Sequence, residues 1–325
     1  MNKLFAAACG LLLAALSQAE GEEGMSTQKK SATTTTGQAT RTLEVPGARL
    51  AYEVRPSEES REPVLLLIGS PMGAAGFGTL AGHFPDRTVV TYDPRGSERS
   101  VQTDPERRIT PEVHAEDLHR LIEAVGGGPV DLFASSGGAV NALALVSKHP
   151  QDVRTLVAHE PPLGSVLPDR EHALAAVRAV HETYQRRGWG AGMAHFIAIT
   201  GHRGPFTAEI ARQPAPDPAV FGLPASDDGT RADPLLGQAI IAATHYEPDF
   251  DALRAAATRI LIAAGAESEG EMASRAAHAV AQRLGSRPVI FPSGHAGFLG
   301  GEYGQTGEPD AFAAKLREVL EQGAR

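Results

Sequence analysis

The chain has 325 residues, of which 42% are hydrophobic and 21% charged, ordinary proportions for a globular protein that buries a full core. Its formal net charge of -9 argues against unaided binding to nucleic acid or to an anionic membrane, because both favour basic surfaces. A small molecule is therefore the expected partner. The composition leaves the identity of that molecule and the oligomeric state open.

The first nineteen residues have the three parts of a secretory signal peptide. Lys3 gives a positive start, residues 4–16 form an apolar run, and small residues lead to a cut after Ala19. The run is too short to span a bilayer comfortably as a helix. This pattern predicts a secreted or periplasmic protein, and cleavage would remove Cys9, the one cysteine of the chain. Translation from Met25 is the alternative and would give a cytoplasmic protein.

Residues 20–41 are acidic, then basic, then threonine-rich, and they lack apolar periodicity. This composition predicts a disordered linker between the signal peptide and a folded domain over residues 42–325.

Within that domain, short β-rich runs alternate with helical stretches, which implies a parallel sheet covered by helices on both faces. The continuous apolar run 64–68 is typical of a strand buried on both sides. Thr110 and Pro111 provide a cap and a first-turn proline for one of the helices. The expected strands, in chain order, cover residues 43–45, 50–54, 64–68, 88–92, 130–133, 155–158, 259–264 and 288–291.

Residues 161–251 interrupt this alternation with helical pieces, such as 172–186, and with a proline-rich stretch. The segment is interpreted as a helical lid that folds over the edge of the sheet. The alternative is an irregular excursion without a role at the site. Its large apolar residues either line a substrate pocket or form the core of the lid: Trp189, Met193, Phe196, Phe206 and Phe221.

Two adjacent serines stand between an apolar strand and a helix rich in Ala and Leu. A serine held at the tip of an abrupt strand-to-helix turn needs small residues two positions before it and two positions after it. Ser136 has Ala134 and Gly138 at these positions, whereas Ser135 would place the bulky Phe133 there. The pattern predicts Ser136 as a nucleophile, and the alternative is a Gly/Ser turn without chemistry.

These residues, in their strand–turn–helix context, resemble the α/β-hydrolase superfamily from about residue 42 to the C-terminus. Ile68–Gly73 is similar to the loop that follows the third strand in that family, and Asp93–Ser100 is similar to its Asp-x-Arg-Gly-x-Gly-x-Ser turn, with Glu98 in place of the second glycine. The resemblance implies an α/β-hydrolase fold, which is an α/β architecture with a mostly parallel, doubly wound sheet. It also implies that the lid is inserted after the sixth strand.

Two backbone N–H groups are predicted to form an oxyanion hole. Gly137 follows the nucleophile at a helix N-terminus, where its N–H would face a developing negative charge. The resemblance implies the N–H of Ser70 as the second donor, because Pro71 has none to offer.

A serine hydroxyl needs a base within hydrogen-bond reach. Of twelve histidines, His295 is the best placed, just after the last strand and between small residues, and the family's catalytic histidine is similarly placed. The alternative is a solvated loop histidine. No pair of histidines has the spacing of metal ligands, so no metal is expected.

The acid that would orient His295 is left open by the sequence. The family's usual Asp position, after the seventh strand, is occupied here by Ser268. Glu160, at the end of the preceding strand, is the favoured substitute, Glu267 is the alternative and Glu269 is a weaker one. All three keep the chain order Ser, acid, His.

These residues predict a serine hydrolase that cleaves a small carboxylic ester through an acyl-enzyme and needs no cofactor. A nucleophilic serine excludes the relatives that use Asp in this position, namely epoxide hydrolases and haloalkane dehalogenases. Thioester, amide, lactone or C–C hydrolysis and cofactor-free peroxidation stay open. The alternative from another class is a small-ligand-binding protein on the same fold without turnover.

Overall fold

The structure is a computed structural model that describes residues 40–322. The predicted signal peptide, residues 1–19, lies outside the described residues, as does the predicted linker up to residue 39. Strand β1 begins at Arg41, which pairs with Tyr52, so the folded region begins one residue before the predicted boundary at Thr42.

One sheet contains the nine strands found within residues 40–322, in the spatial order β1-β2-β4-β3-β6-β7-β8-β9, with β5 beside β2. Strand β2 is antiparallel to β1, β4 and β5, and every pair from β4 to β9 along that order is parallel. The strands are β1 (Arg41–Val45), β2 (Ala48–Arg55), β3 (Leu65–Ile68), β4 (Val89–Tyr92), β5 (Val101–Gln102), β6 (Val130–Ser135), β7 (Val153–His159), β8 (Arg259–Gly265) and β9 (Val289–Phe291).

Eight of these strands lie where the sequence predicts them. Strands β3, β4 and β6 are buried along their whole length, which explains their continuous apolar runs. The two-residue β5 is not predicted, because its Val101 is exposed and so short a segment carries no periodicity.

Helices cover both faces of the sheet. Alternate residues of β3 point into two separate cores, Leu66 into one and Leu65 into the other. The helices are α1 (Gly78–Gly82), α2 (Pro111–Ala124), α3 (Gly137–Lys148), α4 (Arg170–Thr200), α5 (Ile240–His245), α6 (Phe250–Ala255), α7 (Met272–Arg283) and α8 (Pro309–Glu321). Residues of α2, α3, α4 and α7 belong to the first core, and residues of α1 and α8 belong to the second.

The predicted insertion lies between β7 and β8. It follows the sixth of the eight strands on the main path of the sheet, or the seventh strand when β5 is counted. Its long helix α4 continues past the predicted end, across a kink at Gly188 (φ 81°), as far as Thr200. The proline-rich part forms short turns, such as Pro218–Phe221, before α5 and α6 lead back to the sheet.

Two arginines connect the insertion to the body of the protein. Asp169 in the insertion accepts hydrogen bonds from Arg275 of α7, and Arg203 forms an isolated β-bridge with Glu271. Among residues 40–322, no helix combines the length and the apolar character that crossing a bilayer requires.

Candidate active site

Ser136 lies at the tip of the turn between β6 and α3. Its φ of 56° and ψ of -128° fall in a region that residues with a side chain seldom adopt. The N–H of Ser136 donates to the carbonyl oxygen of His159 (2.9 Å), and its carbonyl oxygen accepts from the N–H of Ala139 (2.9 Å). These backbone bonds on both sides hold the serine in its strained conformation.

The turn is packed too tightly for a side chain on either glycine after Ser136. A Cβ on Gly137 would lie 2.4 Å from the carbonyl oxygen of Ser70, and a Cβ on Gly138 would lie 2.8 Å from the Cα of Gly69. The loop after β3 therefore lies directly against the turn. This contact brings together the two predicted oxyanion residues, Ser70 and Gly137.

The neighbouring Ser135 is in a different environment. It is only 1% exposed, and its hydroxyl lies 3.3 Å from Nδ1 of the buried His159. Ser136 is partly exposed and lines the main cavity together with His295. Ser135 also borders this cavity, so the two serines differ in their exposure and in the partner of the Ser135 hydroxyl.

His295 lies in the loop after β9, and its Nδ1 is 2.6 Å from Oε2 of Glu160. Glu160 directly follows β7 and is 0% exposed. Its other oxygen, Oε1, accepts from the N–H of Gly265 at the end of β8 (2.8 Å). Both carboxylate oxygens of Glu160 thus have a hydrogen-bond partner, and the imidazole is held at the carboxyl ends of the parallel strands.

The pKa values of this pair shift in opposite directions. Burial by itself would raise the pKa of Glu160, but the hydrogen bond and the charge of His295 outweigh it and lower that pKa to about 2. Burial by itself would lower the pKa of His295, but the hydrogen bond and the charge of Glu160 raise it above the ordinary 6.5. The arrangement keeps Glu160 ionised and makes His295 a stronger base.

The structure brings Glu160, and not Glu267, to His295. Glu267 and Glu269 are exposed on the loop after β8, where the N–H of Glu267 donates to the carbonyl oxygen of Ser293 (2.9 Å). Ser268, in the position where the family usually has Asp, is buried, and its hydroxyl has no hydrogen-bond partner among the described residues.

Three residues with strained backbone conformations lie just after the strands that carry these side chains. Ser136 after β6, Glu160 after β7 (φ 48°) and Ser293 after β9 (φ 63°) all have positive φ without being glycine. Such conformations cost about 1–3 kcal/mol each and persist only where the surroundings enforce them. Their concentration around His295 marks this edge of the sheet as the candidate functional site.

A cavity of about 390 Å³ opens onto Ser136 and His295. Most of its wall is apolar, and much of that wall comes from the insertion. The insertion contributes residues of α4 and α5 and of the turns between them: Val177, Phe196, Ile197, Ile199, Phe221, Leu235, Ile240 and Ala243. The insertion therefore forms part of the wall of the candidate site, and its action as a lid stays a prediction.

Comparison with known proteins gives the family. The chain is 30% identical over 289 residues to the uncharacterized hydrolase YraK of Bacillus subtilis, an alignment that covers 86% of this chain and 96% of the relative. The family model for the alpha/beta hydrolase fold matches residues 62–186, which include β3 and the turn at Ser136. The chain belongs to the α/β-hydrolase family.

Solved structures of other α/β hydrolases share the fold. A thermophilic esterase from Thermogutta terrifontis superimposes with a TM-score of 0.58 at 22% identity, covering 89% of this chain and 99% of the esterase. The enol-lactonase from Burkholderia xenovorans LB400 superimposes with a TM-score of 0.57 at 17% identity, covering 86% of this chain and 100% of the lactonase. Identities this low support the fold alone.

The Asp93–Ser100 turn of this α/β hydrolase contacts the loop after β3 that contains Ser70. Oδ1 of Asp93 accepts from the N–H of Ala74 (2.8 Å), a few residues after Ser70. Glu98, which replaces the family's second glycine, has a φ of 50°, so the backbone keeps the left-handed conformation that glycine favours.

Two of the five apolar residues singled out in the insertion line the cavity of this hydrolase. Phe196 and Phe221 do so, whereas Met193 and Phe206 are buried elsewhere in the core and Trp189 donates to Asp233 (3.0 Å).

The cavity is also lined by Glu271, which directly precedes α7. The sequence does not identify it as a site residue, because an acidic residue directly before a helix normally indicates only a cap.

A second group of titratable residues lies at the other end of α3 from Ser136. His119, His149 and Asp152 come from three different elements and offer ligand atoms within 4.8 Å of one another, which sequence spacing could not reveal. The two rings stack at 4.0 Å with planes 5° apart, and Nδ1 of His119 is 2.6 Å from Oδ2 of Asp152. Imidazole lone pairs lie in the ring plane, so two parallel rings in this arrangement do not converge on one ion.

Proposed function

We propose that this protein is a serine hydrolase that cleaves a small carboxylic ester through an acyl-enzyme intermediate. The observation that carries the proposal is the strained Ser136, which faces one cavity together with His295, whose Nδ1 is bonded to the buried Glu160. A nucleophile, a base and an acid that orients the base are the parts that acyl transfer requires.

In this mechanism the Ser136 hydroxyl attacks the ester carbonyl carbon while Nε2 of His295 takes the hydroxyl proton. Glu160 holds the tautomer with the proton on Nδ1 and stabilises the imidazolium. The N–H groups of Gly137 and Ser70 donate to the oxyanion. The C–O bond then breaks and His295 returns the proton to the departing alcohol. Water repeats the sequence on the acyl-enzyme and releases the acid.

Proteins of this fold that cleave acyl substrates are compatible with the proposal. The names of two matched structures describe an esterase and an enol-lactonase, and both names imply cleavage of an acyl–oxygen bond. The cavity of about 390 Å³ is of the size that takes a small molecule. We further propose that the insertion acts as a lid, because its residues form much of the cavity wall above Ser136.

Hydrolysis of p-nitrophenyl esters of increasing acyl length tests the proposed function. Wild type should release p-nitrophenol. Ser136→Ala should lose at least about a thousandfold in kcat because the nucleophile is gone. Ser135→Ala is the matched control: it removes a hydroxyl one position away and should keep turnover. Ester binding without turnover in wild type would favour the ligand-binding alternative, and equal loss in both variants would refute Ser136 as nucleophile.

A further inference from the structure

One charged side chain in the substrate cavity has no part in the proposed mechanism. Glu271 is the cap residue of α7, and its side chain is 17% exposed. It lines the same cavity as Ser136 and His295. A carboxylate in an otherwise apolar pocket affects every charged ligand that enters, because two charges interact more strongly there than in water.

No cation in the cavity wall balances this carboxylate. Among the described residues that line the cavity, none is lysine or arginine, and His295 is committed to Glu160. An anionic group of a substrate would therefore lie near Glu271 with no lysine or arginine in the described cavity wall to pair with it.

Arg203 forms an ion pair with Glu271, but it does not line the cavity. Its Nη2 lies 2.9 Å from Oε1 of Glu271, while its other donors bind the carbonyl oxygens of Glu267 and Glu269. Arg203 is not among the residues that line the cavity. It thus helps to fix the orientation of Glu271 without itself being part of the cavity wall.

The surroundings of Glu271 already disfavour negative charge. Burial raises the pKa of Glu271 above its ordinary value and the carboxylate of Glu160 raises it further, whereas Arg203 and the charge of His295 lower it in part. Two carboxylates, Glu160 and Glu271, therefore act on the space around His295, and an anionic substrate would be a third.

We propose that Glu271 is a specificity-determining residue that rejects esters carrying a free carboxylate on the acyl or the alcohol side. This inference rests on the proposed function. Like charges about 6–8 Å apart at an effective dielectric constant of about 20 shift an equilibrium by more than tenfold. Arg203 reduces that repulsion, so a discrimination of at least about tenfold is expected.

The test compares three chromogenic esters: p-nitrophenyl pentanoate, mono-p-nitrophenyl glutarate and 3-carboxy-4-nitrophenyl pentanoate. The second carries the carboxylate on the acyl side and the third on the alcohol side. Wild type should favour the neutral ester in kcat/KM. Glu271→Gln should raise the anionic-to-neutral ratio at least about tenfold for one or both anionic esters. Glu209→Gln, which removes an exposed charge of the insertion, should leave both ratios unchanged.

Unchanged ratios for both anionic esters in Glu271→Gln would overturn the inference while leaving the proposed function intact. Binding of the same esters to Ser136→Ala, measured by calorimetry, separates the two claims, because it reports the charge preference without turnover. If wild type hydrolyses none of the esters, the proposed function fails. The ratio of dissociation constants, compared between Ser136→Ala and Ser136→Ala/Glu271→Gln, then still decides the role of Glu271.

Discussion

At the scale of single residues, the site depends on a glutamate whose two carboxylate oxygens both have hydrogen-bond partners. Glu160 is fully buried, one oxygen is bonded to His295 and the other to the backbone of β8. A group fixed in this way is suited to orienting an imidazole, whereas the exposed Glu267 would have to be ordered first.

Glu160→Gln should therefore lower kcat by about a thousand- to ten-thousandfold, because an amide can favour the wrong tautomer of His295. Glu267→Gln makes the same chemical change on an exposed side chain and should leave kcat nearly unaltered. Steady-state kinetics on a neutral p-nitrophenyl ester compare the two. A larger loss in Glu267→Gln would show that the acid is misassigned.

The pH dependence of kcat/KM follows from the raised pKa of His295. The imidazole accepts a proton only when it is neutral, so activity is lost as the pH falls through this pKa. Because Glu160 raises it, the acid limb of wild type should lie above 6.5, the ordinary value. In Glu160→Gln, only the charge of Glu271 still opposes the effect of burial on His295, so the limb should move to lower pH. A limb at the same pH in both proteins would contradict the pairing.

At the scale of elements, the insertion shapes the cavity and is held to the body by few polar contacts. Asp169, in front of α4, accepts from both terminal nitrogens of Arg275 and from the N–H of Phe206. Burial opposes the effect, but the hydrogen bond from Arg275 lowers the pKa of Asp169 below its ordinary value. This contact should stabilise the protein above pH 3.8 and weaken as the pH falls further.

Asp169→Ala should reduce the free energy of unfolding by about 1–3 kcal/mol, because it leaves Arg275 and the N–H of Phe206 without their partner. It should also speed proteolytic cleavage within the insertion. Glu182→Ala is the control, since it removes one member of an exposed pair within α4. Urea unfolding and limited proteolysis measure both effects. Equal protease resistance in the two variants would show that Asp169 does not anchor the insertion.

The elements that could be predicted are those whose burial leaves a pattern in the sequence. Strands β3, β4 and β6 are buried on both faces and so appear as apolar runs. The insertion has no such pattern. Helix α4 passes through Gly188 with a φ of 81°, and its continuation to Thr200 depends on tertiary packing. Propensity alone predicts the helix to end near the kink.

The site was partly predictable for a similar reason. Steric crowding at Phe133 distinguishes Ser136 from Ser135 by local sequence alone. The choice between Glu160 and Glu267 depends on which side chain reaches His295 across neighbouring strands, and sequence order does not contain that distance. Glu271 is a residue of the cavity wall for the same reason, although its sequence position indicates only the start of a helix.

At the scale of the whole molecule, export of the chain is a prediction of its first residues and lies outside the described structure. Residues 1–30 fused to a reporter enzyme that folds only outside the cytoplasm should direct the fusion out of the cell or into the periplasm. The product should begin at Glu20 on N-terminal sequencing. A product that stays in the cytoplasm and begins at Met25 or at Ser26, after loss of the initiator Met25, would contradict this prediction.

The central claim is that Ser136 is the nucleophile of an acyl-transfer site built with His295 and Glu160. Labelling of the folded protein with a fluorophosphonate, followed by peptide mass spectrometry, tests it most directly. The account predicts one phosphonyl adduct on Ser136 and slower labelling in Glu160→Gln. An adduct on Ser135 or on a residue outside the cavity, or no adduct on the folded protein, would contradict it.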